Sequence, residues 1–152
     1  MSRSASWRSA HPCDGHGPRW GIMDGMHSQI AALTAGTWPV VVVETVGLWE
    51  TKSLWTLLLT PPFLGPSSSM LLHRLAYTAS TRWTTEDLAE QLGVSPSKTV
   101  DGLDRLRKFR MITLTLSSDR ILVPSHLGPL DERQLDFLPD RFRQLHARLE
   151  RP

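Results

Sequence analysis

The feature that most constrains this chain is a change of hydrophobic period near residue 110. Upstream, Leu88, Ala89 and Leu92 share one helical face, and Val100, Leu103, Leu106 and Phe109 share another. Downstream, Met111-Ile112-Thr113-Leu114-Thr115-Leu116 alternates apolar with polar, as strands do. A chain that uses both periods back to back packs short helices against a small sheet.

Local signals set the boundaries of these elements. Thr84 or Thr85 can cap a helix whose first turn carries Glu86 and Asp87, where the helix dipole favours acids. Gly93 ends it as a left-handed residue. Val94-Ser95-Pro96-Ser97 is a tight turn with its own cap, and a further helix is predicted from Ser97 to Phe109. Ser117-Ser118-Asp119 turns the chain, Arg120-Ile121-Leu122-Val123 returns as a strand, and Gly128-Pro129 closes the module. Before it, Ser67, Ser68 or Ser69 can cap a helix carrying Met70, Leu71, Leu72, Leu75 and Ala76.

Four segments follow from this reading. Residues 1–26, rich in Ser, Gly, His, Pro and Arg, form a disordered arm, with Met23 and Met26 as alternative starts. Residues 27–66 form an N-terminal β-hairpin extension, with strands at Val40–Leu48 and Leu54–Thr60 clamped by Trp38, Trp49 and Trp55. Residues 67–126 form the central module. Residues 127–152 form a C-terminal helical extension, with a short helix at Leu130–Leu138 and a last one from Pro139 through Leu149.

Composition excludes more than it assigns. Seventeen Lys and Arg face fifteen Asp and Glu, a net charge of +2, so any argument for nucleic acid must rest on local placement. Cys13 is the only cysteine, which fits a reducing compartment. The start lacks an apolar signal region, and the runs Val40–Val43 and Leu57–Leu59 are far too short for a membrane helix. The expectation is a cytoplasmic protein without a membrane partner. His11-Pro12-Cys13-Asp14-Gly15-His16 holds three ligand types but no spacing that builds a zinc site, so no metal is expected. Walker A, GxSxG, HExxH and GxGxxG patterns are missing. We therefore expect no enzyme, no cofactor and no small-molecule ligand.

Local charge is more informative. If Val94, Val100, Leu103 and Leu106 glue the 97–109 helix inward, its other side presents Ser95, Ser97, Lys98, Thr99, Asp101, Gly102, Arg105 and Lys108. A major groove admits one helix, whose N-terminal end reads base edges while basic residues further along meet phosphate. Arg120, near the hairpin tip, can reach an adjacent phosphate. Asp101 and Asp104 stand one turn from Arg105 and Lys108 and can pair with them instead.

Thr84-Thr85-Glu86-Asp87-Leu88-Ala89-Glu90-Gln91-Leu92-Gly93-Val94-Ser95 resembles the first half of many bacterial helix-turn-helix motifs. Val100 to Ile112 resembles a recognition helix running into a first wing strand. The chain is thus similar to winged helix-turn-helix proteins of actinobacteria and their phages or plasmids. Two departures stand out. The turn at Ser95-Pro96-Ser97-Lys98 is one residue longer than the common form, and Arg110 stands where glycine often ends the recognition helix. The resemblance implies an α+β fold, a three-helix core with a β-hairpin wing, and sequence-specific binding of double-stranded DNA, as in a transcription regulator. The rival is a winged helix serving as a protein-protein interaction module that does not bind DNA, its working surface the apolar hairpin around Trp49 and Trp55. Leu138, Phe142, Leu145 and Leu149 recur at intervals of four, three and four. That stripe either packs on its own domain or forms a homodimer seam.

Overall fold

A computed structural model describes residues 38–78, 81–115 and 120–152. The predicted arm at 1–26, the first part of the 27–66 extension through residue 37, residues 79–80, and the end of the first wing strand with its turn at 116–119 lie outside the described residues. Among those described, strands β1 (Trp38–Val43), β2 (Trp49–Glu50), β3 (Arg82–Trp83), β4 (Thr113–Thr115), β5 (Arg120–Pro124) and β6 (His126–Leu127) alternate with seven helices. The helices are α1 (Leu54–Leu59), α2 (Pro61–Leu64), α3 (Pro66–Tyr77), α4 (Thr85–Leu92), α5 (Pro96–Lys108), α6 (Glu132–Asp136) and α7 (Asp140–Glu150). The protein is a mixed α+β fold with two small sheets.

α4 and α5 follow their local signals. Thr84 Oγ1 accepts from Asp87 N, and the Asp87 carboxylate accepts from Thr84 N, both at 3.1 Å, so a capping box closes α4. Those bonds hold the Asp87 carboxyl below its ordinary range, the backbone bond from Thr84 contributing most. Gly93 ends α4 at φ 64, with Gly93 N donating to Glu90 O and Val94 N to Ala89 O. The same pair of bonds ends α5, from Arg110 N to Arg107 O and from Met111 N to Leu106 O. There, however, the left-handed residue is Arg110 at φ 57. An L side chain in that region costs about 1–2 kcal/mol.

Packing makes one core of these pieces. Leu71, Leu72 and Leu75 of α3 meet Leu88 of α4, Leu103 and Leu106 of α5, Val40 of β1, and Ile121 and Val123 of β5, all nearly or fully buried. Each such side chain contributes roughly 1.5–3 kcal/mol by leaving water. That outweighs the ion pairs on the surface, worth about 0–1 kcal/mol apiece.

The expected N-terminal hairpin is corrected by the structure. Val40–Leu48 is a strand only over Trp38–Val43, and Leu54–Leu59 is helical. A short run of apolar residues carries no period that separates strand from helix. Here tertiary pairing decides. β1 lies inside a four-stranded sheet of order β3-β1-β5-β4, with β5 along Val40–Val43 on one edge and β3 at Trp38 and Pro39 on the other. It runs parallel to β5, Val40 opposite Ile121, and antiparallel to β3, Trp38 opposite Trp83. Thr56 Oγ1 donates to Thr51 O at 2.7 Å and accepts from Trp49 Nε1 at 3.3 Å, fastening α1 to β2. Pro61-Pro62 opens α2, where the missing N–H of a first-turn proline has no cost.

A polar strap joins residues 44–51 to 124–127. Leu48 N donates to Leu127 O at 2.7 Å, and Thr51 N to Ser125 O at 2.9 Å. Thr45 N donates to Ser125 Oγ, and Thr45 Oγ1 bonds both His126 N and His126 O. Beyond the strap, Asp131 and Gln134 form a second capping box at α6. His146 of α7 is 1% exposed and accepts from Leu130 N at 3.1 Å through Nε2.

Candidate nucleic-acid interface

α5 carries thirteen residues from a capped start. Ser95 is its N-cap, with Oγ accepting from Lys98 N at 3.3 Å, and Pro96 fills the first helical position. Its inner side is Gly102, Leu103 and Leu106, all buried. Gly102, expected to be exposed, faces α3. A Cβ there would lie 3.1 Å from Leu71 Cδ2, so the glycine sets how closely the two helices approach. The outer side is one stripe of exposed residues: Ser97, Lys98, Asp101, Arg105 and Lys108.

The structure sorts the expected contact residues by what each already does. Thr99 is a correction. It is 1% exposed, its hydroxyl donates to Ser95 O at 3.3 Å, and it presents nothing outward. The 3.6-residue period carries position 99 inward between 98 and 101, which polarity alone does not show. The Ser95 hydroxyl is engaged in its cap. The Arg105 guanidinium donates from Nε and Nη2 to Phe63 O at 3.2 and 2.7 Å and lies over the Phe109 ring. Lys108 Nζ sits 2.6 Å from Asp104 Oδ2, and Arg107 Nη2 2.8 Å from Asp104 Oδ1. Burial pushes the Asp104 carboxyl up, but the bonds from Lys108 and Arg107 outweigh it and hold it below the ordinary carboxylate range. Of the two expected acid-base pairings, Asp104 with Lys108 forms, whereas Arg105 turns to the Phe63 carbonyl. Ser97, Lys98 and Asp101 remain exposed. Arg120, also exposed, begins β5 opposite Thr115 of β4.

The stripe borders a cleft of about 640 Å³ whose far wall is Gly65, Pro66, Ser67 and Ser68, the beginning of α3. The sequence reading placed a capping serine there. Instead Gly65 is the N-cap, without a side-chain cap bond, and Ser69 Oγ turns back to Gly65 O. The signal was present as Gly65-Pro66, a glycine followed by a proline suited to a first turn. That this turn lies beside α5 is a tertiary fact.

The C-terminal stripe packs mainly on its own domain. Leu138 is 1% exposed inside the chain's core, and Phe142 and Leu149 are half-buried against it. Leu145 is half-buried as well. The rival's apolar surface also moves. Trp49 is buried and Trp55 half-buried, whereas Leu54, Leu58, Met70 and Tyr77 on α1 and α3 are exposed. Among the described residues, no group of three His, Cys, Asp or Glu could hold a metal ion, and no helix is long and apolar enough to cross a membrane. Neither a protein-family model, nor a curated protein, nor a solved structure matches the chain.

Proposed function

We propose that this chain is a winged helix-turn-helix protein of the cytoplasm that binds double-stranded DNA and acts as a transcription regulator. In this reading α3, α4 and α5 are the three-helix core, α5 is the recognition helix, and β4 and β5 are the wing. β1 is an addition to that plan, lying between β3 and the wing. The observation that carries the reading is the outer stripe of α5, polar along its whole length and left uncovered by the described residues. Ser97, Lys98 and Asp101 stand at the N-terminal end, where such a helix meets base edges. Lys98 and Arg120 are the cations we assign to phosphate, because both are exposed and, unlike Arg105 and Lys108, make no side-chain bond among the described residues. Arg105 and Lys108 contribute charge from more constrained positions.

Binding of a mixed-sequence duplex tests this. Affinity is expected to fall steeply with salt, since each neutralised phosphate releases counterions. The Lys98→Ala, Arg120→Ala double variant should reduce the slope of log K against log salt by about 2. A parent protein that ignores duplex DNA at about 50 mM salt overturns the reading. Selection from random duplexes would then give the target, and a palindromic site would indicate two copies. The second reading, a protein-interaction module, rests on the exposed Leu54, Leu58, Met70 and Tyr77. It predicts that the parent captures a protein partner without binding duplex DNA, and that replacing Leu54 and Tyr77 by polar residues abolishes that capture.

A further inference from the structure

The three helices of the proposed core differ at their starts. α4 begins inside a capping box and carries Glu86 and Asp87 in its first turn, so it repels anions. α5 begins with its Lys98 amide bonded by Ser95 Oγ. α3, twelve residues long, begins open. Its first cap bond runs from Ser69 N to Gly65 O at 3.1 Å, so the Ser67 and Ser68 amides point out of the helix end. Gly65 sits at φ 83 and ψ 158, a region that only glycine occupies readily, and this turns the helix start toward α5.

A second observation marks the same place. Ser68 is 6% exposed and lines the cleft, yet its hydroxyl has no hydrogen-bond partner among the described residues. Its Oγ faces α5, 3.6 Å from where a Cβ on Gly102 would stand. Across the cleft are Lys98, Arg105 and Lys108. Arg105 reaches Phe63 O through Nε and Nη2, and no bond from its Nη1 is formed. Asp101 and Asp104 also line the cleft, and Asp104 is already paired with Arg107 and Lys108. A partnerless hydroxyl open to the cleft on an otherwise buried serine, two outward amides and cations opposite suit one ligand chemistry, a tetrahedral oxyanion.

We infer that the cleft between the start of α3 and the outer stripe of α5 binds a phosphate group, held by the Ser67 and Ser68 amides, Ser68 Oγ, Lys98 and Arg105. This deepens the DNA reading and rests on it for the source of the phosphate, a backbone phosphodiester flanking the groove that α5 enters. The site places α3 across the duplex backbone and so fixes the angle at which α5 lies.

The test uses the full chain and the substitution Ser67→Glu. A carboxylate there occupies the anion position while favouring the helix dipole, so the melting temperature should hold or rise. Duplex affinity should fall by about tenfold or more, against little change for Gln144→Glu, which adds the same charge on α7. Titration with inorganic phosphate should shift the Ser67 and Ser68 amide resonances first, and Ser67→Glu should abolish that shift. If Ser67→Glu binds duplex as tightly as the parent, the clamp is overturned while DNA binding stands. If the parent fails to bind duplex at all, the DNA reading fails by itself. Phosphate shifts at residues 67 and 68 would then support the site for a free anion, and their absence would overturn it.

Discussion

The helices between residues 66 and 108 and the strap between residues 44–51 and 124–127 are stabilised by different physics. The helices interlock through Leu71, Leu72, Leu75, Leu103 and Leu106, with caps and ends set within each helix. The strap holds through backbone and hydroxyl bonds between residues about eighty positions apart, such as Thr45 to Ser125 and His126. Each hydrogen bond nets only about 1 kcal/mol, whereas each buried leucine contributes more. The strap therefore depends on exact spacing and tolerates crowding poorly, while the helical part tolerates defects at its ends. The face proposed for DNA is built on the part whose position is secured by burial.

The largest expected effect breaks the strap. A Cβ on Gly47 would lie 2.6 Å from Leu127 O and 2.9 Å from Leu127 N, so Gly47→Ala must push backbone apart. A loss of about 2–3 kcal/mol is expected by denaturant unfolding. Hydrogen exchange should show Leu48 and Thr51 amides losing protection while those of α3 and α5 keep theirs. Equal loss in both regions would mean that they open as one.

A smaller effect of opposite sign sharpens the helical side. Arg110 and Gly93 end two helices with the same hydrogen bonds, but only Arg110 carries a Cβ at positive φ. Arg110→Gly should therefore stabilise by about 1 kcal/mol, read as a raised denaturation midpoint. A destabilised variant would show that the arginine side chain contributes more than its backbone costs.

The smallest effect is a pH dependence where α7 meets the strap region. His146 packs edge-on to Trp49 and accepts from Leu130 N, and burial pushes its pKa down, opposed weakly by Glu150. A histidine depressed in the folded state stabilises fully above its unfolded pKa of about 6.5 and loses that contribution as pH falls through it. The melting temperature should thus fall between about pH 7.5 and pH 5.5, and less so in His146→Gln. Equal falls in the two proteins would remove His146 as the cause.

What could be read in advance was local. The Thr84 cap, the Gly93 stop and the Ser95-Pro96 restart each depend on neighbours a few residues away, and each is where it was expected, whereas the strand expected over Met111–Leu116 forms, among the described residues, only at Thr113–Thr115, with Met111 and Ile112 both buried before it. The candidate site was legible in outline only. Ser97, Lys98, Asp101 and Arg120 are exposed as expected, but Thr99 turns inward and Arg105 bonds a carbonyl forty-two residues earlier. Polarity does not reveal which polar side chain already has a partner.

By itself the amino-acid order determined where Thr85–Leu92 and Pro96–Lys108 begin and end, because caps, left-handed stops and apolar spacing act within one or two turns. Tertiary structure alone decided that Leu54–Leu59 is a helix, that Trp38–Val43 runs parallel to Arg120–Pro124, and that the open start of α3 faces the stripe of α5. A short apolar run satisfies either period, and a strand's partner is chosen by whichever edge the rest of the fold leaves free.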